Sequence, residues 1–188
     1  MELITASPMR DKQKLYNEWK RTLQSEDIWC QVLKFCYQVS SINKTNEEIT
    51  PSAVISIYSG AISPYGVRHA MYEPNFEIAT QAYANEDFKK VIRLLLESID
   101  INGISTQTLN LLGASYRFTG EYHRALPFLI LCFREDPNTK YLIGNMALCL
   151  HALGFAKINE FIEQFAIYAY DNWSKEQLQY IINNTKLK

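Results

Sequence analysis

Residues 106–139 of this chain read TQTLNLLGASYRFTGEYHRALPFLILCFREDPNT. The first part of this segment places apolar and small residues at i, i+3, i+4 and i+7, the spacing of one helical face: Leu109, Leu112, Gly113 and Tyr116. Ser105 can cap the start of this helix with its hydroxyl group. Gly120 can end it, because glycine adopts a positive φ without steric cost. The segment therefore predicts a helix that ends in a tight turn.

A second helix follows the turn. Its inward positions recur at helical spacing: Tyr122, Ala125, Leu129, Cys132 and Phe133. Asp136 and Pro137 end it, because proline cannot continue a helix and restricts the residue before it. The small residues Gly113 and Ala125 let the two helices approach closely where they cross. Pro127 lies inside the second helix, where it removes a backbone hydrogen bond and predicts a kink.

The same pattern recurs 34 residues earlier and 34 residues later, which divides the chain into three copies: 72–105, 106–139 and 140–173. Two register positions illustrate the period, with Phe88, Tyr122 and Ala156 at one and Ala79, Gly113 and Ala147 at the other. A fixed period of this length is the signature of stacked helical repeats. The outer copies match less closely, which is expected because one side of each faces water or a cap.

The middle copy resembles the tetratricopeptide repeat (TPR), a helix–turn–helix unit of this length. The residues that carry the resemblance keep the spacing of the family's pattern, with Leu in place of its first Trp: Leu109, Leu112, Gly113, Tyr116, Gly120, Tyr122, Ala125, Leu129, Cys132 and Pro137. The resemblance implies an all-α fold in which three helix pairs stack as an α-solenoid. Residues 1–71 are then an N-terminal helical extension, and residues 174–188 are a C-terminal capping helix with its tail.

The N-terminal extension does not follow the period but contains helical patterns of its own. Residues 12–23 and 51–59 predict two helices, and residues 60–66 predict a loop. A helix between these two points its apolar residues inward: Ile28, Trp29, Val32, Leu33, Phe35, Cys36 and Val39. We interpret this part as helices packed on the first repeat, or as an arm that pairs two copies of the chain in a homodimer. Ser174 is predicted to cap the C-terminal helix.

Composition excludes several classes of protein. Lys plus Arg number 19 and Asp plus Glu 20, so the formal net charge of −1 disfavours nucleic-acid binding through phosphate contacts. No apolar run approaches the roughly 20 residues that a membrane-spanning helix needs. The cysteines Cys30, Cys36, Cys132 and Cys149 lie in apolar helical stretches and predict buried, reduced thiols. We therefore expect a cytoplasmic protein that does not bind nucleic acid and does not insert stably in a membrane.

No pattern in the sequence indicates catalysis, a metal site or a cofactor. His69, His123 and His151 are far apart, and no Cys/His spacing typical of metal ligands is present. The nucleophile motif GxSxG and the Lys-Ser/Thr pair of a phosphate-binding loop are also absent from the sequence. We therefore expect a non-enzymatic protein without catalytic residues, metal or cofactor.

The resemblance to the TPR also implies where a partner binds. In stacked TPR pairs the first helices face the concave side, and fixed positions on them contact the ligand. Carried over to this sequence, the partner-binding residues are Phe76, Thr80, Tyr83, Asn110, Ala114, Arg117, Phe118, Tyr141, Leu148 and His151. They do not supply the Lys and Asn clamp with which one TPR subclass grips a C-terminal carboxylate. Their mixture of aromatic, small and apolar groups suits an extended apolar peptide, held by anchors in pockets and a few hydrogen bonds.

The overall organisation resembles the class II chaperones of bacterial type III secretion, which place three such repeats between N-terminal helices and a C-terminal helix. That resemblance implies a cytoplasmic chaperone that holds an apolar segment of a secreted partner protein in its concave groove. A TPR scaffold or regulatory adaptor in a multiprotein assembly is the second hypothesis. The third is an enzyme whose active residues lie in the N-terminal extension, near Lys44, Glu47 and Glu48.

Overall fold

The computed structural model describes residues 27–42, 74–102 and 105–185. These residues form eight α-helices and one short 3₁₀ turn and contain no strand. In chain order the elements are α1 (Ile28–Ile42), α2 (Pro74–Ala84), α3 (Phe88–Asn102), α4 (Thr106–Phe118), α5 (Tyr122–Glu135), α6 (Leu142–Ala152), α7 (Ile158–Phe165), the 3₁₀ turn (Ala166–Tyr168) and α8 (Asn172–Thr185). The prediction of an all-α fold is confirmed for this part of the chain. The helices predicted over 12–23 and 51–59, the loop over 60–66 and the end of the tail lie outside the described residues.

Each 34-residue copy of the sequence contains one pair of helices: α2 with α3, α4 with α5, and α6 with α7. The two helices of a pair pack against each other, and the second helix of each pair also packs against the helix that follows it. The first helices of successive pairs also touch, α2 with α4 and α4 with α6. In the same way α6 touches α8. From α2 to α8 the packing therefore follows the order of the sequence.

The turn inside each pair has the same backbone hydrogen bonds in all three copies. A residue with positive φ stands at the same register position each time: Glu86 at 59°, Gly120 at 80° and Gly154 at 76°. The residue after it donates its N–H to a carbonyl five residues back, at 2.8 to 2.9 Å: Asp87 to Ala82, Glu121 to Tyr116, and Phe155 to Leu150. This is the Schellman pattern, which satisfies carbonyl groups at a helix end. The prediction that Gly120 ends α4 is confirmed.

Helices α4 and α5 approach closely at Gly113. A Cβ atom on Gly113 would lie 2.5 Å from Leu129 Cδ2 and 3.4 Å from the carbonyl oxygen of Ala125. Leu129 is fully buried, and side chains in a close-packed core have little room to move aside. Glycine is therefore the residue that this crossing requires, as the sequence predicts. The equivalent residues Ala79 and Ala147 are also fully buried.

The ends of α4 and α5 lie where their sequences predict them. The Ser105 Oγ accepts a hydrogen bond from the Thr108 N–H at 3.1 Å, which caps α4. Helix α5 ends at Glu135, with Asp136 as its C-terminal cap. Pro127 lies buried inside α5, which runs on for about two turns beyond it.

Helix α1 packs mainly against α5 and α7, which belong to the second and third copies. The Trp29 ring packs against two aromatic rings that also contact each other, with centroid distances of 5.1 Å to Phe133 and 5.6 Å to Phe165. Phe35 makes a similar contact with Phe155 at 5.1 Å. In the described residues α1 therefore packs on the repeats, as expected of the extension, but mainly on the second and third copies and not on the first. Its role as an arm that pairs two chains stays a prediction.

Helix α8 begins at Asn172, before the predicted cap. The Asp171 carboxylate accepts the Ser174 N–H at 2.7 Å and the Ser174 hydroxyl at 2.8 Å. Asp171 is thus the capping residue, and the prediction of Ser174 as the cap is wrong. The Ser174 hydroxyl instead faces α6, where it accepts the Gly144 N–H at 3.3 Å. Gly144 leaves room for this contact, since a Cβ there would meet Trp173 at 2.6 Å.

Three of the predicted buried thiols, Cys36, Cys132 and Cys149, are buried. Burial raises the pKa of Cys132 to about 12 and that of Cys149 to about 12. Each thiol therefore stays protonated near neutral pH and is a poor nucleophile. Among the helices that the described ranges contain, none combines the length and the apolar character that crossing a bilayer demands.

Candidate functional site

A cavity of about 830 Å³ opens between the first helices of the pairs. Its walls come from α2, α4 and the start of α6, and its end is closed by the turn between α5 and α6 and by the start of α8. Eight of the predicted binding residues line it: Phe76, Thr80, Tyr83, Asn110, Ala114, Arg117, Phe118 and Tyr141. We call this cavity the groove. The structure thus brings together residues that the sequence spreads over more than 60 positions.

Two of the predicted binding residues, Leu148 and His151, do not line the groove. Both are half-buried, and Leu148 packs against the hydrophobic core. They lie one and two turns beyond Asn145, which is the last residue of α6 on the groove wall. Their contact with a partner stays a prediction.

Several groove residues were not predicted to bind a partner. They come from the turn between α5 and α6, from the inner side of α4 and α6, and from the start of α8: Thr106, Leu111, Asp136, Asn138, Thr139, Lys140, Asn145 and Trp173. Trp173 is the largest of them. Continuing the 34-residue register once more places the start of α8 where α4 and α6 start, and this signal could have found Trp173.

An aromatic cluster forms the apolar wall of the groove. Phe118 stacks on Phe88 with a centroid distance of 4.5 Å, and the edge of Tyr83 contacts Phe118 at 5.8 Å and Phe88 at 5.3 Å. Phe118 nevertheless leaves 47% of its surface exposed. A large, rigid and half-exposed ring in a concave wall is typical of an anchor site for an apolar side chain.

Arg117 lies next to this wall and is held by neutral groups. Its Nε donates a hydrogen bond of 2.7 Å to Oδ1 of Asn145, which is almost fully buried. Its guanidinium carbon lies 3.8 Å from the ring centroid of Phe118 and 5.6 Å from that of Trp173. Burial lowers the pKa of Arg117 from its ordinary value, although the side chain stays charged at neutral pH. The groove therefore contains a half-buried cation between two aromatic rings.

Tyr141 lies at the rim of the groove and has an unusual backbone conformation. Its φ of 67° and ψ of −4° are left-handed, which a bulky residue adopts only when its surroundings enforce it. The Tyr141 N–H donates a hydrogen bond of 2.9 Å to Oδ2 of Asp171. Its ring makes a T-shaped contact with that of Trp173, with a centroid distance of 5.8 Å. These two contacts fix an exposed aromatic ring at the open side of the groove.

Asn110 brings an unsatisfied acceptor to the groove. Its Nδ2 donates to the carbonyl of Lys140 at 2.8 Å, so the amide is oriented by the neighbouring turn. Its Oδ1 is buried and has no hydrogen-bond partner within the described residues. A buried acceptor without a donor is costly, and a donor such as a peptide N–H would remove that cost.

The chemistry of this arrangement is recognition by shape, aromatic contact and a few polar groups. The described ranges hold no group of three or more His, Cys, Asp or Glu side chains placed to bind a metal ion. The carboxylates at the groove are held by hydrogen bonds from their own turns, as in Asp136 with Asn138 and Thr139. A comparison with protein-family models, with curated proteins and with solved structures finds no match for this chain.

Proposed function

We propose that this chain is a non-enzymatic protein-binding module built from TPR-like repeats. In this proposal the groove is the concave side of a short α-solenoid and holds an extended apolar segment of a partner protein. The partner is a secreted protein kept from aggregation before export, as in the class II chaperones of type III secretion. A cytoplasmic location belongs to the proposal, because such a chaperone acts before its partner leaves the cell.

The repeated turn geometry supports a TPR-like stack. The three intra-pair turns share their hydrogen bonds, and the helices that contact each other are those that contact in a solenoid of helix pairs. The 34-residue period places one helix pair in each copy. These features agree with the resemblance that Leu112–Gly113, Gly120 and Pro137 carry in the sequence.

The exposed aromatic wall of the groove is the observation that carries the function. Phe118, Tyr83 and Tyr141 present ring surface to a cavity large enough for several side chains. Apolar surface left open in this way is typical of an interaction site rather than of a free surface. An apolar segment bound there is withdrawn from aggregation by mass action, and this stabilisation of the segment grows with the logarithm of the concentration of free groove.

A peptide selection tests the proposal. A randomised 12-residue library, displayed between constant flanks, is selected on the unmodified chain and on Tyr83→Ala and Phe118→Ala. We expect apolar sequences to be enriched on the unmodified chain and to bind each groove variant at least about tenfold more weakly, because each change removes an aromatic anchor. Far-ultraviolet circular dichroism checks that helicity is kept.

The matched control is Tyr180→Ala on α8, which removes an aromatic ring that is 56% exposed outside the groove. This variant is expected to bind the selected peptides like the unmodified chain. The groove assignment fails if both groove variants bind the peptides unchanged, or if Tyr180→Ala weakens binding equally.

A TPR scaffold or regulatory adaptor is the alternative, favoured by apolar residues that are exposed away from the groove. Ile167, in the 3₁₀ turn, and Tyr170, two residues after it, leave 68% and 63% of their surfaces exposed. A scaffold would hold soluble folded partners through such surfaces at the same time. Co-expression with a candidate partner separates the two functions, because a chaperone solubilises a partner that is otherwise insoluble and a scaffold does not.

A further inference from the structure

Arg117 is half-buried in the groove and has no acidic partner among the described residues. Within the described residues no Asp or Glu oxygen lies within 4.0 Å of its guanidinium group. Its contacts are the Asn145 amide oxygen and the rings of Phe118 and Trp173. Aromatic faces offset part of the cost of removing a cation from water, but a carboxylate offsets far more through two parallel charge-assisted hydrogen bonds.

Asp136 lines the groove, Asp171 lies two residues before the lining residue Trp173, and both carboxylates are held by neutral donors. Asp136 accepts the Asn138 N–H at 3.0 Å and the Thr139 hydroxyl at 3.2 Å. Asp171 accepts the Tyr141 N–H at 2.9 Å and two groups of Ser174. Each of these side chains is fixed by the turn in which it lies, so neither is free to move towards the guanidinium group.

Apolar surface flanks Arg117 on both sides. On one side is Phe118, whose ring contacts that of Tyr83. On the other is Trp173, whose ring contacts that of Tyr141. A ligand carboxylate that reaches Arg117 therefore has apolar side chains before and after it. This arrangement favours an acidic side chain inside a segment over a carboxylate at the end of a chain.

We infer that the groove selects an extended apolar segment that contains one internal Asp or Glu, whose carboxylate pairs with Arg117. Asn145 is the positioning residue, since its amide oxygen fixes the Nε side of the guanidinium group and leaves the terminal nitrogens for the ligand. This inference rests on the proposed function and adds the charge of the ligand to it. An unpaired cation between aromatic anchors gives the groove both affinity for the segment and discrimination against wholly apolar ones.

The first experiment compares acid content among sequences selected from the same internal 12-residue library. Selections run in parallel on the unmodified chain, on Arg117→Gln, on Phe118→Ala and on the control Arg134→Gln, an exposed arginine of α5 outside the groove. We expect one Asp or Glu per enriched sequence on the unmodified chain and on Arg134→Gln, and loss of that acidic residue on Arg117→Gln.

The second experiment uses the selected peptide with acetylated and amidated ends, made once with its acidic residue and once with the corresponding amide. Fluorescence anisotropy should give at least about tenfold tighter binding of the acidic peptide by the unmodified chain, and no difference by Arg117→Gln. Because the peptide pair is measured on the unmodified chain, the result does not depend on the folding of the variant. Thermal unfolding compares the stability of the variants with that of the unmodified chain in a separate measurement.

Three outcomes overturn the inference. If apolar peptides bind in a Phe118-dependent way but the acidic and amide peptides bind equally, the inference fails and the proposed function stands. If a third peptide, with the internal amide and a free C-terminal carboxylate, binds as tightly as the acidic peptide, an internal acid is not required and the inference fails. If the unmodified chain and Phe118→Ala yield the same sequences, or neither enriches any, the proposed function fails and the inference falls with it.

Discussion

The Tyr141 N–H donates a hydrogen bond of 2.9 Å to Oδ2 of Asp171, thirty residues further along the chain. The same carboxylate caps α8 through the Ser174 N–H. One side chain therefore joins the left-handed residue at the groove rim to the start of the last helix. Trp173 lies between Asp171 and Ser174 in the sequence, so its position depends on the Asp171 carboxylate.

Asp171→Ala is expected to destabilise the fold by about 1–2 kcal/mol, because it removes a helix cap and leaves the Tyr141 N–H without its acceptor. Asp171→Asn should cost less, since an amide oxygen can still cap the helix. Urea unfolding followed by circular dichroism measures both. The neighbouring exposed residue Asn172 provides the control, and Asn172→Ala should leave stability within about 0.5 kcal/mol. Equal stability of Asp171→Ala and Asn172→Ala contradicts this role.

Stability should fall on acidification in a way that depends on Asp171. Burial alone would raise the pKa of this carboxyl, but hydrogen bonds from Ser174 and Tyr141 outweigh it and hold the pKa below its ordinary value of 3.8. A carboxyl whose pKa is lowered in the folded state contributes its stability above the unfolded value, and this is lost as the pH falls through the folded value. Urea midpoints at pH 6 and at about pH 3 should therefore differ less for Asp171→Asn than for the unmodified chain.

Gly113→Ala is expected to destabilise the fold by about 1–3 kcal/mol, because the added methyl group overlaps Leu129 where α4 and α5 cross. In an exposed helix the same change would stabilise by up to about 1 kcal/mol, so the sign alone is diagnostic. The double variant Gly113→Ala/Leu129→Ala supplies the control. It should be more stable than the sum of the single changes predicts, since the new methyl group occupies part of the vacated space. Additive effects in urea unfolding would argue against the close contact.

The buried thiols are expected to resist modification in the folded protein. With Cys30→Ser, the remaining residues Cys36, Cys132 and Cys149 are all buried. Their pKa values are raised by burial, so little thiolate is present at pH 8. Dithionitrobenzoate should therefore react within minutes only after urea is added. Rapid release of the chromophore from the folded variant would contradict the core described above.

Trp29→Ala is expected to cost about 2–4 kcal/mol, because the ring packs against both Phe133 and Phe165 and its removal leaves a cavity. Urea unfolding measures the loss. Tyr170→Ala removes a comparable ring that is 63% exposed and should change stability by less than about 0.5 kcal/mol. A similar small effect of Trp29→Ala would mean that α1 contributes little to the fold.

Local signals explain why the middle pair of helices could be predicted closely. The Ser105 cap, the Gly120 turn and the Gly113 crossing each depend on residues within one copy, and each has a specific conformational requirement. The positions of the groove wall on α2 and α4 are those that the resemblance to the TPR implies. A period in the sequence transfers such information from one copy to the next, since equivalent residues meet equivalent neighbours.

Contacts between distant segments could not be predicted in this way. Tyr141 takes a left-handed conformation that no local residue preference favours, and its acceptor Asp171 lies in another helix–turn segment. The docking of α1 on α5 and α7 depends on apolar residues that would fit several faces equally well. At Glu86 a local preference predicts the wrong conformation. The turn geometry overrides the preference of glutamate for negative φ and gives this residue the φ of a glycine.

The contacts of α1 have a consequence for biosynthesis. Helix α1 leaves the ribosome before the helices it packs on, and more than 120 residues separate its end, Ile42, from the end of α7 at Phe165. At translation rates of ~5–20 residues per second, several seconds or more pass before both α5 and α7 have been synthesised, and the apolar face of α1 stays unpacked for that time. During that interval the nascent chain exposes Trp29 and Phe35, and a cell that overproduces this protein must shield them.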